Sequence, residues 1–180
     1  MMGFGLIHIY CGDGKGKTSA AIGAAIRAAG RGKRVLLARF MKTEDSGELA
    51  ALAQVPLITV LPDGEGFGFS WNMTDARRKA ASDSYAGKLS MAWELAVGES
   101  EENAYDMLIL DEVIGTCSLG FIREESLLAA LRDKPQGLEV ILTGRGPSEQ
   151  LLEMADYVTE MTMVKHPYEH GVGARKGIEY

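Results

Sequence analysis

The chain has 180 residues, 46% of them hydrophobic and 24% charged, and a formal net charge of −6, which suits one domain with a substantial core. The acidic balance excludes a general nucleic-acid binder, because no broad basic field exists to displace counterions. No run approaches the ~20 apolar residues a membrane helix needs, and two cysteines, Cys11 and Cys117, build no disulfide framework, so a cytoplasmic protein without a membrane partner is expected.

In chain order, "MMGFGLIHIY" lacks the basic start of a signal peptide, and "GLIHIYC" (5–11) reads as a strand. Thr18 to Ala29 reads as a helix, apolar nearly all round and so expected to be buried, ending at Gly30 in a left-handed cap. "RVLLARF" (34–40) is a second strand, "SGELAALAQ" (46–54) a helix and "PLITVL" (56–61) a third strand. A glycine-rich loop carrying aromatics, "PDGEGFGFSWN" (62–72), leads into the longest helical pattern, about Thr74 to Glu99, where Gly87 is expected to kink or weaken the helix. "AYDMLILDE" (104–112) is a fourth strand, "REESLLAALRD" (123–133) an amphipathic helix and "LEVILTG" (138–144) a fifth strand. "PSEQLLEMA" (147–155) opens like a helix, "DYVTEMTMV" (156–164) reads as a last strand, and the tail 165–180 has no clear period.

Near-continuous apolar strands alternating with helices predict an α/β fold, a mainly parallel sheet covered by helices on both faces. Ligands of such a sheet sit at the carboxyl ends of the strands. The loops at 11–18, 40–47, 62–72, 111–119 and 144–147 should therefore gather at one edge.

The first of these loops, "YCGDGKGKTSAA", carries chemistry. Gly12, Gly14 and Gly16 allow a tight turn whose N–H groups point inward. The helix that follows adds its positive end. Lys17 is placed to reach terminal phosphates, Thr18 to hold Mg²⁺, and Lys15 to add a second cation suited to a polyphosphate. The strict pattern G-x-x-x-x-G-K-[ST] asks for glycine where Cys11 stands. At a strand end a small buried filler serves, although a thiol beside a helix N-terminus can also be reactive. "LILDE" supplies the acidic strand end that partners such a loop, with Asp111 as a Mg²⁺ ligand. Glu112 is open between orienting an attacking water, binding the metal and favouring the start of a helix. These residues predict a P-loop NTPase architecture of the RecA-like kind, in one nucleotide-binding domain over 1–180 with a C-terminal tail at 165–180. On chemistry alone the reading stops at a Mg–nucleoside-triphosphate enzyme. His8, His166 and His170 match no compact metal motif and are assigned to no site.

The set "GDGKGKTSAA", "GFSW", "LILDE", "ILTGRG" and "VKHPYEHGVGARKGIEY" resembles the P-loop type of ATP:corrinoid adenosyltransferase (cob(I)alamin or cob(I)yrinic acid a,c-diamide adenosyltransferase) from Ile7 to Tyr180. The tail is the most specific part. The resemblance implies that a Co(I) corrinoid attacks the 5′ carbon of ATP and that triphosphate leaves, in adenosylcobalamin synthesis or salvage. It implies ATP contacts through Gly12, Asp13, Gly14, Lys15, Gly16, Lys17, Thr18, Ser19 and Arg145, with Lys15, Lys17 and Thr18 acting on the leaving group. Mg²⁺ would be held by Thr18, Asp111 and Glu112. Phe69 and Trp71 would pack on the lower corrin face and displace its axial ligand, because an apolar face offers cobalt no donor. A homodimer and a flavodoxin-like or flavin-dependent reductant are also implied. The family commonly has Thr where Cys11 stands and a polar residue where Ile114 stands. Some relatives carry an N-terminal arm over the corrinoid; here closure is expected from the loop 62–72, the tail or a partner subunit. The rival readings are a Mg-dependent ATPase or phosphoryl-transfer enzyme of the same fold, with Glu112 orienting water, and a nucleotide-dependent binding module.

Overall fold

A computed structural model describes residues 4–42, 46–64, 66–67, 73–98, 100 and 103–178. Six strands form one sheet: β1 (Ile7–Cys11), β2 (Val35–Arg39), β3 (Ile58–Val60), β4 (Met107–Asp111), β5 (Glu139–Thr143) and β6 (Tyr157–Glu160). Their order is β3-β2-β4-β5-β1-β6, and every strand pairing among the described residues is parallel. One strand, β5, separates β1 from the acidic-ended β4. The arrangement is an α/β fold consistent with a P-loop NTPase architecture.

The pleat sends alternate residues of each strand to opposite faces, and each face packs its own core. Ile9, Leu36, Leu108, Leu110, Val140 and Leu142 face one side. There they meet α3 (Asp75–Val97), α4 (Val113–Ser118), α5 (Glu124–Arg132) and α6 (Glu149–Met154) through residues such as Ala81, Leu89, Ile114, Leu127 and Leu151. Val35, Leu37, Ile109 and Ile141 face the other side and pack on Ala21, Ala25 and Ala29 of α1 (Lys17–Ala29) and Leu52 of α2 (Gly47–Leu52). Continuously apolar strands are what a sheet buried on both faces requires.

Four local expectations change. Helix α1 buries one stripe only: Ala21 and Ala25 are sealed, whereas Ile26 is 51% exposed. A helix at the sheet surface has only one side to bury, whatever its composition. Gly30 stays right-handed (φ −63°), and the left-handed residue after α1 is Gly32 (φ 78°). Helix α3 runs unbroken through Gly87, where nothing lies close enough to need the missing side chain. Helix α4 was not expected, because "VIGTCS" lacks both strong helix formers and amphipathic period; burial of Val113 to Cys117 holds it in place. His8 pairs through Nε2 with Glu139 Oε1, and its ring lies 4.6 Å from that of Tyr157. None of the described helices is long and apolar enough to cross a membrane.

Candidate functional site

The glycine-rich loop joins β1 to α1 at the carboxyl edge of the sheet. Its shape is set from outside as well as from within. Gly12 (φ 98°) faces the backbone after β6, and a Cβ there would stand 2.5 Å from the Met161 carbonyl oxygen. Gly16 (φ 118°) is the residue on which α1 begins, a conformation that costs other residues strain. The Gly14 N–H donates to Met161 O at 2.6 Å. The Met163 N–H donates to Asp13 Oδ1 at 3.0 Å. Lys15 Nζ, at the exposed rim, donates to Ile178 O at 3.3 Å. The tail, which forms a short 3-10 turn at Pro167–His170, therefore returns to the loop.

Lys17 is 9% exposed. Its Nζ donates to Gly12 O at 2.7 Å and Gly14 O at 2.9 Å, so its hydrogen-bond partners are neutral carbonyls. Burial, and secondarily the Arg145 charge, pulls its pKa below the ordinary lysine value. Thr18 Oγ1 donates toward the Asp111 carboxylate, 2.9 Å from Oδ1 and 3.1 Å from Oδ2. Asp111 is fully buried and fixed by the Thr143 hydroxyl, which donates to Oδ1 at 2.6 Å. Glu112 follows in a left-handed conformation (φ 64°), with its N–H donating to Thr143 Oγ1 at 2.8 Å. Its carboxyl lies over Gly115, where a Cβ would come 2.6 Å from Oε1. Burial, then the Asp111 charge, raises the Glu112 pKa.

Lys17, Thr18 and Glu112 line a cleft of about 600 Å³ together with Arg145, Lys42 and His166. Arg145 is exposed at its rim, Nη2 reaching Asp13 O at 3.5 Å. Ser19 lines an adjoining cleft on the outer side of α1. The only left-handed non-glycine residues among those described, Met41 and Glu112, both line the main cleft. Backbone strain thus concentrates where strands β2 and β4 enter the site.

Among the cleft residues that the sequence did not single out, two carry titratable side chains, Lys42 and His166. Lys42 Nζ lies 3.4 Å from Thr18 Oγ1 and 3.7 Å from Asp111 Oδ2. Nothing local in "FMKTED" marks it, although its place just past the second strand puts it in a loop expected at this edge. His166 in the tail lines the cleft, and its Nδ1 accepts the Tyr168 N–H at 3.2 Å. Phe69 and Trp71 lie outside the described residues; the segment leading to them ends at Phe67, buried against Tyr85 with ring centroids 5.7 Å apart. Cys11 is 5% exposed, and burial, with Glu160 beside it, raises its thiol pKa. It is a filler between sheet and helices, not an activated thiol.

A hydroxyl and a carboxylate side by side, both hard oxygen donors, fit Mg²⁺. A buried lysine, a glycine loop and a helix N-terminus fit a polyphosphate.

The family model described as ATP:corrinoid adenosyltransferase BtuR/CobO/CobP matches residues 3–180. The chain is 36% identical to the corrinoid adenosyltransferase of Escherichia coli, with 98% of this chain and 86% of that one covered. It is 34% identical to the corrinoid adenosyltransferase CobA of Salmonella typhimurium, over 98% and 86% of the two chains. It is 33% identical to the corrinoid adenosyltransferase of Pseudomonas aeruginosa, over 98% and 84%.

Proposed function

The chain belongs to the ATP:corrinoid adenosyltransferase family, and we infer that it transfers the 5′-deoxyadenosyl group of ATP to a corrinoid cobalt in cobalamin synthesis or salvage. The Co(I) electron pair forms a bond to C5′, the C5′–oxygen bond breaks, and triphosphate leaves with the bonding electrons. Such a nucleophile needs no general base. The protein's tasks are alignment and stabilisation of charge on the leaving group.

The observation that carries this reading is Lys17. It is a buried ammonium whose hydrogen-bond partners, Gly12 O and Gly14 O, are both neutral. Taking up phosphate oxygens in their place gives the charge an anionic partner in a low-dielectric site. Lys15, Lys42 and Arg145 add positive charge along the same cleft. The start of α1 at Lys17, Thr18 and Ser19 would present N–H groups to the phosphates together with the loop from Gly12 to Gly16, except Gly14, whose N–H is taken by Met161 O. Thr18 and Asp111 would hold Mg²⁺, with Glu112 beside them, and the ion would neutralise part of the triphosphate charge. Thr143 keeps the Asp111 carboxylate aimed at Thr18. Glu112 has no water to activate in this reaction. Phe69 and Trp71 would take the lower face of the corrin; the family pattern supports that role.

The reading also includes a homodimer and a flavodoxin-like or flavin reductant, both supported by the family resemblance. A cytoplasmic location fits two free, buried thiols. One nucleotide-binding domain over 1–180 fits a single sheet that takes strands from both ends of the chain.

The test is to incubate the protein with ATP, Mg²⁺ and chemically reduced corrinoid. A cobalt–carbon product with stoichiometric triphosphate is expected. ADP and phosphate formed without corrinoid would instead establish a hydrolase of the same fold.

A further inference from the structure

Arg39 has no part in the site described above, yet its side chain is completely sealed from solvent. It ends β2, opposite Asp111 in the register with β4. Its guanidinium meets carboxylates from two different segments. Nη1 donates to Glu48 Oε1 at 3.2 Å, in the first turn of α2. Nε donates to Asp63 Oδ1 at 3.3 Å, and Nη2 closes the fork on Asp63 Oδ2. The Asp63 side chain is itself 4% exposed. From α3, Lys88 Nζ donates to the carbonyls of Arg39 at 2.9 Å and Asp63 at 3.0 Å, and lies 3.6 Å from Asp63 Oδ1.

This hub joins the segment that lines the nucleotide cleft to the segment that leads toward Phe69 and Trp71. Directly after Arg39 come Phe40, Met41 and Lys42, the last two lining the nucleotide cleft. Directly after Asp63 comes the chain that leads to Phe69 and Trp71. That chain is held a second time, by Arg77 of α3, whose Nε donates to Phe67 O at 3.1 Å and Nη2 to Gly66 O at 3.4 Å. The rings of Phe40 and Phe67 both pack on Tyr85, at 6.2 and 5.7 Å between centroids.

Folding alone does not call for such a hub. Well-packed apolar residues of similar volume generally serve stability as well as or better than a buried ion pair. What apolar residues lack is the direction of a two-pronged guanidinium–carboxylate fork. We propose that Arg39, through Asp63 and Lys88, is a positioning residue that holds the stem of the aromatic loop at Asp63 and the Lys42 segment in one frame, so that corrinoid and ATP meet in line. The proposal rests on the reading that Phe69 and Trp71 receive the corrinoid.

The test compares Arg39→Lys, Asp63→Asn and Trp71→Ala in the full chain. It measures ATP affinity, KM for corrinoid, kcat, the spectroscopic signature of four-coordinate Co(II) corrinoid with ATP present, and thermal melting. Arg39→Lys keeps the charge but loses the fork. It should lower kcat/KM for corrinoid by about 10- to 100-fold, as misplacement by about 1 Å does, and weaken the Co(II) signature, with ATP affinity within about threefold of the parent. Asp63→Asn keeps the side-chain volume and gives the same readings if Arg39→Lys fails to fold. Two folded variants with parental corrinoid kinetics and signature, beside a Trp71→Ala variant that loses the signature, overturn the positioning role and leave the loop's role standing. A Trp71→Ala variant with the full signature removes the reading of the loop, and the positioning role with it.

Discussion

Two buried cations stand at or past the carboxyl ends of two strands that β4 and β5 separate, and they are held in opposite ways. Lys17, after β1, is 9% exposed and bonded to two backbone carbonyls. Arg39, ending β2, is 1% exposed and bonded to two carboxylates. A carbonyl supplies a dipole and no counter-charge, so the ammonium stays available to an arriving anion, and burial lowers its pKa meanwhile. A carboxylate supplies the counter-charge in advance, so the guanidinium is committed to holding the chain. The same physical situation, a charge out of water, serves ligand capture in one place and architecture in the other.

The contrast can be broken by exchanging the two losses. Lys17→Met should lower kcat/KM for ATP by about 10²–10³-fold, on the scale of removing one stabilising donor from a transition state. Its melting temperature should not fall, because the variant removes a buried charge that is hydrogen-bonded only to neutral carbonyls; a clear drop in stability would sink the distinction. Arg39→Met should do the reverse. Leaving Asp63 and Glu48 without their partner should cost about 3–5 kcal/mol in urea unfolding. The double variant Arg39→Met/Asp63→Leu should recover part of it.

Lys42→Ala sharpens the same contrast from within the cleft. Loss of one charge-assisted contact should weaken inorganic triphosphate binding about tenfold in calorimetry, with little change in melting temperature. The smallest effect concerns pH. Burial lowers the Lys88 pKa below its ordinary 10.5, Asp63 opposing. Between the folded value and 10.5 the unfolded chain binds more protons, so this residue makes stability rise with pH across that window. Lys88→Met should remove that rise from the alkaline side of the stability profile, and an unchanged slope would show that Lys88 titrates as it does in the unfolded chain.

Much of this was legible along the chain. The apolar runs fall on β1 to β5 because a sheet covered on both faces leaves its strands largely apolar, whereas the edge strand β6 is exposed along its length. Gly12 to Thr18 and Asp111 announce themselves because phosphate and metal chemistry demand particular residues at particular spacing. Other features are silent for physical reasons. Helix α4 is held by burial rather than by propensity. Lys42 and His166 look like ordinary loop and tail residues until the fold places them in the cleft. Arg39 ends an apolar run "RVLLA" and, by composition alone, belongs at the surface.

Local order and short spacing, then, settled the strands and the helix after the glycine-rich loop, and singled out the candidate residues for phosphate and metal. Each depends on contacts within a few positions or on a repeat that any window reveals. Partnership across the chain was decided by packing. Met161 closes on Gly12 from 149 positions away, and Asp63 neutralises Arg39 across the intervening helix α2 and strand β3. No window of sequence contains both members of such a pair. Whether a buried cation waits for a ligand or is spoken for depends on which partner the sheet brings to it.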